Sequence, residues 1–207
     1  MTATPLQDIG REAVRTKGWF GAHKWLLARR LSQIGILGLF LIGPWTGFWV
    51  LKGTLSSSLL FDFVPMTDPL LFVQMLAAGF TGIAGSAIIG AGIIAAFYAV
   101  VGGRVYCSWV CPVNIVADTA YWLRRRLGLK SSARISASAR YWMLAMTLVL
   151  SFATGTLAYE LVNPVSLLHR GIIFGFGFGW SVVVGVFLFD LFVMKHGWCA
   201  HLCPMGA

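Results

Sequence analysis

Four long, predominantly apolar runs bound what this chain can fold into. They extend over about 31–51, 80–101, 141–161 and 172–194, and none carries more than one charged residue. Each reaches the length of about 20 residues that a helix needs to cross the hydrocarbon of a bilayer. Only 11% of the 207 residues are charged, against about 25% in soluble domains. A soluble helical core does not supply four such runs. The reading is therefore an all-α membrane protein with four transmembrane helices. The second run is rich in small residues, and its start is open back to Leu70.

A formal charge of +9 raises nucleic acid as a partner, and the distribution of that charge removes it. Arg11, Arg15, Lys17, Lys24, Arg29 and Arg30 precede the first run. Arg104, Arg124, Arg125, Arg126, Lys130, Arg134 and Arg140 lie between the second and third, and Lys195 follows the fourth. Only Lys52 and Arg170 fall in the other two loops. Cationic residues stay on the cytoplasmic side during insertion. Both termini are expected there, in a multi-pass protein of the bacterial inner membrane. Arg124-Arg125-Arg126 reads as an anchor to anionic lipid headgroups, with an acidic partner as the sharper alternative. The apolar run after Arg29-Arg30 has full spanning length and no cleavage pattern, so the arginine pair reads as a topology anchor.

The chain divides into a basic interfacial segment (1–30), a two-helix unit (31–111), a basic cytoplasmic loop with a surface helix from Val113 to Leu129 (112–140), and a second two-helix unit (141–207). Each unit has an outer turn with a proline, Asp68-Pro69-Leu70 in one and Asn163-Pro164-Val165 in the other. Each then descends to a C-x-x-x-C-P motif, Cys107–Pro112 and Cys199–Pro204. Both units start on the same side, so the expectation is a parallel two-fold repeat about an axis along the membrane normal. That axis brings the two motifs together at the cytoplasmic face. Broken helices and paired intramembrane charges are not expected, which argues against a transporter.

The motifs hold every cysteine: Cys107, Cys111, Cys199 and Cys203. Four soft sulfur donors select an iron–sulfur cluster or zinc. One shared [4Fe–4S] cluster is the most that four thiolates hold. Thiol–disulfide exchange within each C-x-x-x-C is the other redox reading. Tyr106, Trp109 and Trp198 read as interfacial aromatics, and His196 and His201 as surface histidines or alternative ligands. Acids inside a membrane are functional candidates by default. Asp190 is placed to take a proton from a quinol, or to pair with Arg104 or Lys195. Glu160, with Asn163 and His169, offers a second set of proton acceptors at the outer edge.

Several stretches resemble the NapH family of membrane proteins. They are Gly10-Arg11-Glu12-Ala13, Lys17-Gly18-Trp19, Gly43-Pro44-Trp45, Ser57-Ser58-Leu59-Leu60-Phe61-Asp62, Cys107-Ser108-Trp109-Val110-Cys111-Pro112, Asn163-Pro164-Val165-Ser166-Leu167 and His196-Gly197-Trp198-Cys199. The cysteine frame alone is shared with a wider polyferredoxin-like membrane family. The resemblance implies the membrane subunit of a quinol dehydrogenase, an electron-transfer component that oxidises ubiquinol. Its electrons pass, with a NapG-like periplasmic iron–sulfur protein and a NapC-like tetrahaem cytochrome, toward periplasmic nitrate reductase. The alternative is a non-enzymatic membrane anchor for an iron–sulfur partner, with structural metal at the four cysteines. Members of the family continue into a ferredoxin-like domain with two further [4Fe–4S] clusters; this sequence ends four residues past Cys203, so those clusters are expected only in such a domain. Cytoplasmic cysteines and a periplasmic acceptor leave about 30 Å of hydrocarbon for electrons to cross.

Overall fold

The structure, a computed structural model, describes residues 11–47, 50–61, 63–80, 84–102, 105–129, 133, 135–136, 138–175, 177 and 179–206. It opens with a long helix, α1 (Arg11–Thr46), bent at Gly18, where φ is 71° and ψ 166°. Glycine alone takes up such a conformation without strain, so the basic lead and the first apolar run share one element. Within it, Val14–Gly43 is the one helix among the described residues that is both long and apolar enough to cross a membrane. The apolar helices Gly85–Val101 and Gly179–Val193 are shorter.

The segment after α1 departs from the all-α expectation. Residues 51–67 form an antiparallel sheet of β1 (Leu51–Gly53), β2 (Ser57–Leu60) and β3 (Val64–Thr67), in that spatial order. Leu60 stands opposite Leu51 on one side and Val64 on the other. Pro65 is tolerated because β3 is an edge strand, where a missing N–H costs no ladder bond. The protein is thus mostly helical with one small sheet. The sheet is held against the helix Ala84–Val101 at Gly90, where a Cβ would stand 2.9 Å from the Pro65 carbonyl oxygen.

From the sheet the chain enters α2 (Pro69–Ala77) and then α3 (Ala84–Val101). A π-helical turn, Tyr106–Val110, carries the first cysteine motif and leads into α4 (Val113–Arg126). Helix α5 (Ala139–Thr154) stops at Gly155, whose φ of 62° is left-handed. Turns lead to α6 (Pro164–Phe174) and α7 (Gly179–Leu188). Helix α7 continues as a π-helical turn over Phe189–Val193; a second one, Trp198–Leu202, carries the other cysteine motif.

Two expectations are corrected here. The apolar run 172–194 is broken at Gly175 (φ 91°), so its first residues end α6 and the rest form α7. The two helices fold back on each other, with Gly171 against the Trp180 ring and Gly179 against Leu167. The sequence argument from unbroken helices therefore fails. The proline turn expected at the outer edge, a full span from the cysteines, also lies elsewhere. Pro164 and Val165 line the same small cavity as the cysteines, and the Tyr159 hydroxyl lies 3.7 Å from the Cys203 sulfur. The chain dips after α5, and α6 starts afresh beside the cysteine motif.

The core is built around that point. Cys111, Val113, Val165, Leu168, Val183 and Val186 form one buried apolar cluster. The outer faces are apolar too: Leu31 and Ile34 on α1, Ile89 and Phe97 on α3, Trp142 and Phe152 on α5, and Val184 and Phe192 on the α7 segment are all exposed. Helix α4, expected as a surface helix, packs a stripe of Val113, Ala117, Ala120 and Arg124 into the interior. That spacing of four, three and four residues marks one helical face.

Candidate functional site

The two cysteine turns begin and end with nearly the same backbone conformation. The residues before them, Val105 and Gly197, have φ, ψ of −64°, −40° and −64°, −41°. The cysteines that close them, Cys111 and Cys203, have −67°, 116° and −68°, 117°. In each, the amide of the closing cysteine donates across the turn, Cys111 to Tyr106 O at 3.0 Å and Cys203 to Trp198 O at 2.9 Å. Proline follows each closing cysteine and prevents the turn from running on as helix.

All four cysteines line one small cavity, with Tyr106, Val113, Pro164, Val165, Trp198 and Met205. None of the four is in a disulfide. Burial, and then the charges of Cys203 and Cys107, push the Cys111 thiol up to about 12, against the opposing pull of the Val113 and Asn114 amides. Burial also raises Cys199, with the other three cysteines and Asp190 adding to it. Such thiols are poor nucleophiles at neutral pH, which disfavours thiol exchange. A bound cation reverses this, since a coordinating thiol is deprotonated outright. The donor set fits an iron–sulfur group: four sulfurs around an apolar cavity, with no carboxylate or imidazole on its wall. Among the described residues, no three His, Cys, Asp or Glu side chains converge as ligands of one metal ion do.

Each turn is held from outside by a different device. On the first, Arg29 Nε and Gln33 Nε2 donate to the Ser108 carbonyl at 2.9 and 3.1 Å. Arg29 also reaches Asn114 Oδ1 at 3.1 Å, Arg30 donates to Gln33 Oε1 at 2.7 Å, and Arg30 pairs with Asp118. Gln33 is fully buried. Arg29, read with Arg30 as a topology anchor, therefore clamps a cysteine turn that lies 79 residues on. Sequence reasoning missed Gln33, Asn114 and Asp118, which carry no local signal. His196 faces Asp118 at 3.8 Å and packs on Tyr121.

On the second turn the corresponding role falls to Asp190, which is fully buried. Its Oδ1 accepts the Trp198 amide at 3.0 Å. No bond to Lys195 forms, and Arg104 lies outside the described residues. Arg124 is buried instead of lying among lipid headgroups, and it donates to the Leu191 carbonyl at 2.8 Å. Arg126 does lie over Trp122, an exposed ring, with its guanidinium 4.6 Å from the centroid.

The structure divides the proposed Glu160, Asn163 and His169 trio. Asn163 Nδ2 donates to Glu160 Oε2 and to Ser166 Oγ, both at 3.2 Å, and Ser56 reaches the same carboxylate at 3.3 Å. His169 is buried apart from them, edge-on to Phe40 at 4.9 Å, with neither ring nitrogen hydrogen-bonded. Burial, then Arg170, lowers its pKa, so it is neutral.

A second, larger cavity of about 790 Å³ adjoins the cysteine cavity and shares Tyr106 and Met205 with it. Its walls are mainly apolar, and Asp68 is the acid on them. Burial raises Asp68 to about 6, against the pull of the Leu70 amide. Sequence reasoning treated Asp68 as part of a turn; its burial was the missing signal.

Comparison with known proteins bears on both motifs. A family model described as a 4Fe-4S binding domain matches residues 83–130 and 176–207, one motif in each segment. The chain is 53% identical to the ferredoxin-type protein NapH of Escherichia coli (strain K12), covering 97% of this chain and 70% of that protein. It is 52% identical to the methylamine utilization ferredoxin-type protein MauN of Methylorubrum extorquens, covering 95% and 68%. It is 50% identical to the NapH of Haemophilus influenzae, covering 96% and 69%. No solved structure matches the chain.

Proposed function

Since this chain belongs to the family of ferredoxin-type proteins that includes NapH and MauN, we propose that it is a membrane-embedded electron-transfer subunit holding one [4Fe–4S] cluster on Cys107, Cys111, Cys199 and Cys203. The observation that carries the reading is the single cavity lined by all four thiols. Such a cluster supplies one-electron transfer at a potential tuned by hydrogen bonds to its sulfurs and by burial. The Val113 and Asn114 amides contribute at Cys111, and the Tyr159 hydroxyl at Cys203.

The matched turn dihedrals and the two proline-led helices, α2 and α6, support a parallel repeat within residues 31–111 and 141–207. The apolar outer faces of α1, α3, α5 and α7 support four crossings of the bacterial inner membrane. Positive charge near both ends supports cytoplasmic termini. The substrate is ubiquinol, and the electrons leave through a NapG-like iron–sulfur protein, with a NapC-like cytochrome and nitrate reductase beyond it. Near-equal likeness to NapH and MauN fits a unit that serves more than one terminal system.

Iron and acid-labile sulfide in anaerobically purified protein test the cluster. About four of each per chain, with a reducible EPR signal, is the expected result. Stoichiometric zinc with no labile sulfide would replace the proposal with the anchor reading.

A further inference from the structure

We propose that the cavity beside the cysteine site binds the headgroup of a hydroquinone, and that Asp68 accepts a hydrogen bond from a phenolic O–H and then its proton. This rests on the quinol-oxidising role proposed above, which did not say where the quinol sits. In the step the O–H bond breaks, the proton moves to an Asp68 oxygen, and the hydroquinone anion keeps the electron pair.

Four observations converge on the site. Its volume of about 790 Å³ lies within the range of about 300–1,000 Å³ typical of small-molecule sites. Ile94 of α3 and Leu144 of α5 are among its apolar walls, suited to a ring with an isoprenoid tail. Tyr106 and Met205 stand between it and the four thiols, so a ring bound there lies against the wall of the redox site. Asp68 places one partly buried carboxyl on a mainly apolar lining, and its raised pKa of about 6 suits a group that takes up and releases a proton near neutral pH.

The second half of the chain removes the simpler explanation. Asp68 caps α2 by accepting the Leu70 amide at 3.3 Å, and Asn163 caps α6 by accepting the Val165 amide at 3.1 Å. Asparagine and aspartate cap helices equally well. Capping therefore needs no acid at 68, and an acid partly withdrawn from water beside a mainly apolar cavity is a cost to the fold. Three other acids among the described residues are differently engaged: Glu160 is bonded to Asn163 and Ser56, Asp190 to Trp198, and Asp118 to Arg30. Phe40 lines the cavity and separates His169 from it.

The test is anaerobic binding of decylubiquinol and of oxidised decylubiquinone to the detergent-solubilised full chain, followed by tryptophan quenching. It is combined with photolabelling by an azido-ubiquinone. Label is expected on α2, α3 or α5. Asp68→Asn is expected to weaken the hydroquinone by about tenfold while leaving the quinone, which has no O–H to donate, within about twofold. Ile94→Trp fills the cavity and is expected to abolish both. Thermal unfolding of each variant shows that it is folded. Label confined to α6 around His169, or equal weakening of both ligands in Asp68→Asn, overturns this site and leaves the quinol role standing. No binding of either form by the unaltered chain, or lipid that no quinone displaces, overturns the role together with the site.

Discussion

Asp68 and Asn163 occupy corresponding places in the two halves of the chain. Each precedes a proline, each has an extended backbone (φ, ψ of −62°, 128° and −67°, 109°), and each caps the helix that follows. The cysteine turns that end the halves match even more closely. The surroundings diverge. Asn163 is sealed in a polar cluster with Glu160 and Ser166, whereas Asp68 lies on the wall of the large cavity. The comparison teaches that closely matching backbone turns bring both cysteine motifs to one cavity, while the side chains at the two helix caps meet different surroundings, a polar cluster at Asn163 and a mainly apolar cavity wall at Asp68.

The sharpest way to break the symmetry is at the sulfurs. Cys107→Ser and Cys199→Ser occupy equivalent positions, so each is expected to lose essentially all cluster iron, to the same degree. Iron per chain checks this after anaerobic purification. If one variant keeps its cluster and the other does not, the two turns are not equivalent ligand donors.

The caps give a reciprocal pair. Asn163→Asp removes the amide that donates to Glu160 and Ser166 and sets two carboxylates together in a buried place, at a cost of about 3 kcal/mol. Asp68→Asn keeps its cap and is expected to change stability by only a few tenths of a kcal/mol against it, or to improve it. Denaturation in detergent at pH 7 measures both. Equal losses would show that both caps are only structural.

A pH titration sharpens the same contrast. Asp68 has its pKa raised from 3.8 to about 6 by burial, with Glu160 adding to the effect; Tyr98 and Tyr106 share the cavity wall with it. A raised acid pKa means that the folded state binds the proton more tightly than the unfolded chain. Its contribution thus favours folding below about pH 4, is lost as the pH rises through about 6, and is flat above. The loss is on the order of 3 kcal/mol. Asp68→Asn removes that slope, so the difference between the two unfolding profiles isolates it. Parallel profiles would mean that Asp68 is not buried as an acid.

The cysteine frame and both proline turns were legible because they are local and repeated. The small sheet was not, since Leu51–Thr67 lacks a sustained alternation and its strands are only three or four residues long. Hydropathy marked the apolar runs but not the dip after α5, which depends on Tyr159 and Pro164 meeting the second motif. The clamp from Arg29 and Gln33 onto Ser108 joins residues 75 or more apart, and charge counting gave Arg29 a different role. The acids in the apolar runs stood out at once, yet their partners decide their roles.

Asp190 presents that last point in a testable form. The first cysteine turn is held by α1 through Arg29 and Gln33, and the second by one carboxylate oxygen of Asp190 on the Trp198 amide. The other oxygen, Oδ2, is buried without a hydrogen bond. Asp190→Asn retains an acceptor for Trp198 and removes the capacity to take a proton. If Asp190 positions the turn, the variant should hold its full iron content, bind quinone normally and shift stability by less than about 1 kcal/mol. Asp190→Leu removes the acceptor as well, and should loosen the turn and lose iron. If Asp190→Asn instead stops quinol-dependent reduction while iron and quinone binding are intact, the acid is a proton acceptor in its own right. The difference between the two turns would then be chemical as well as mechanical.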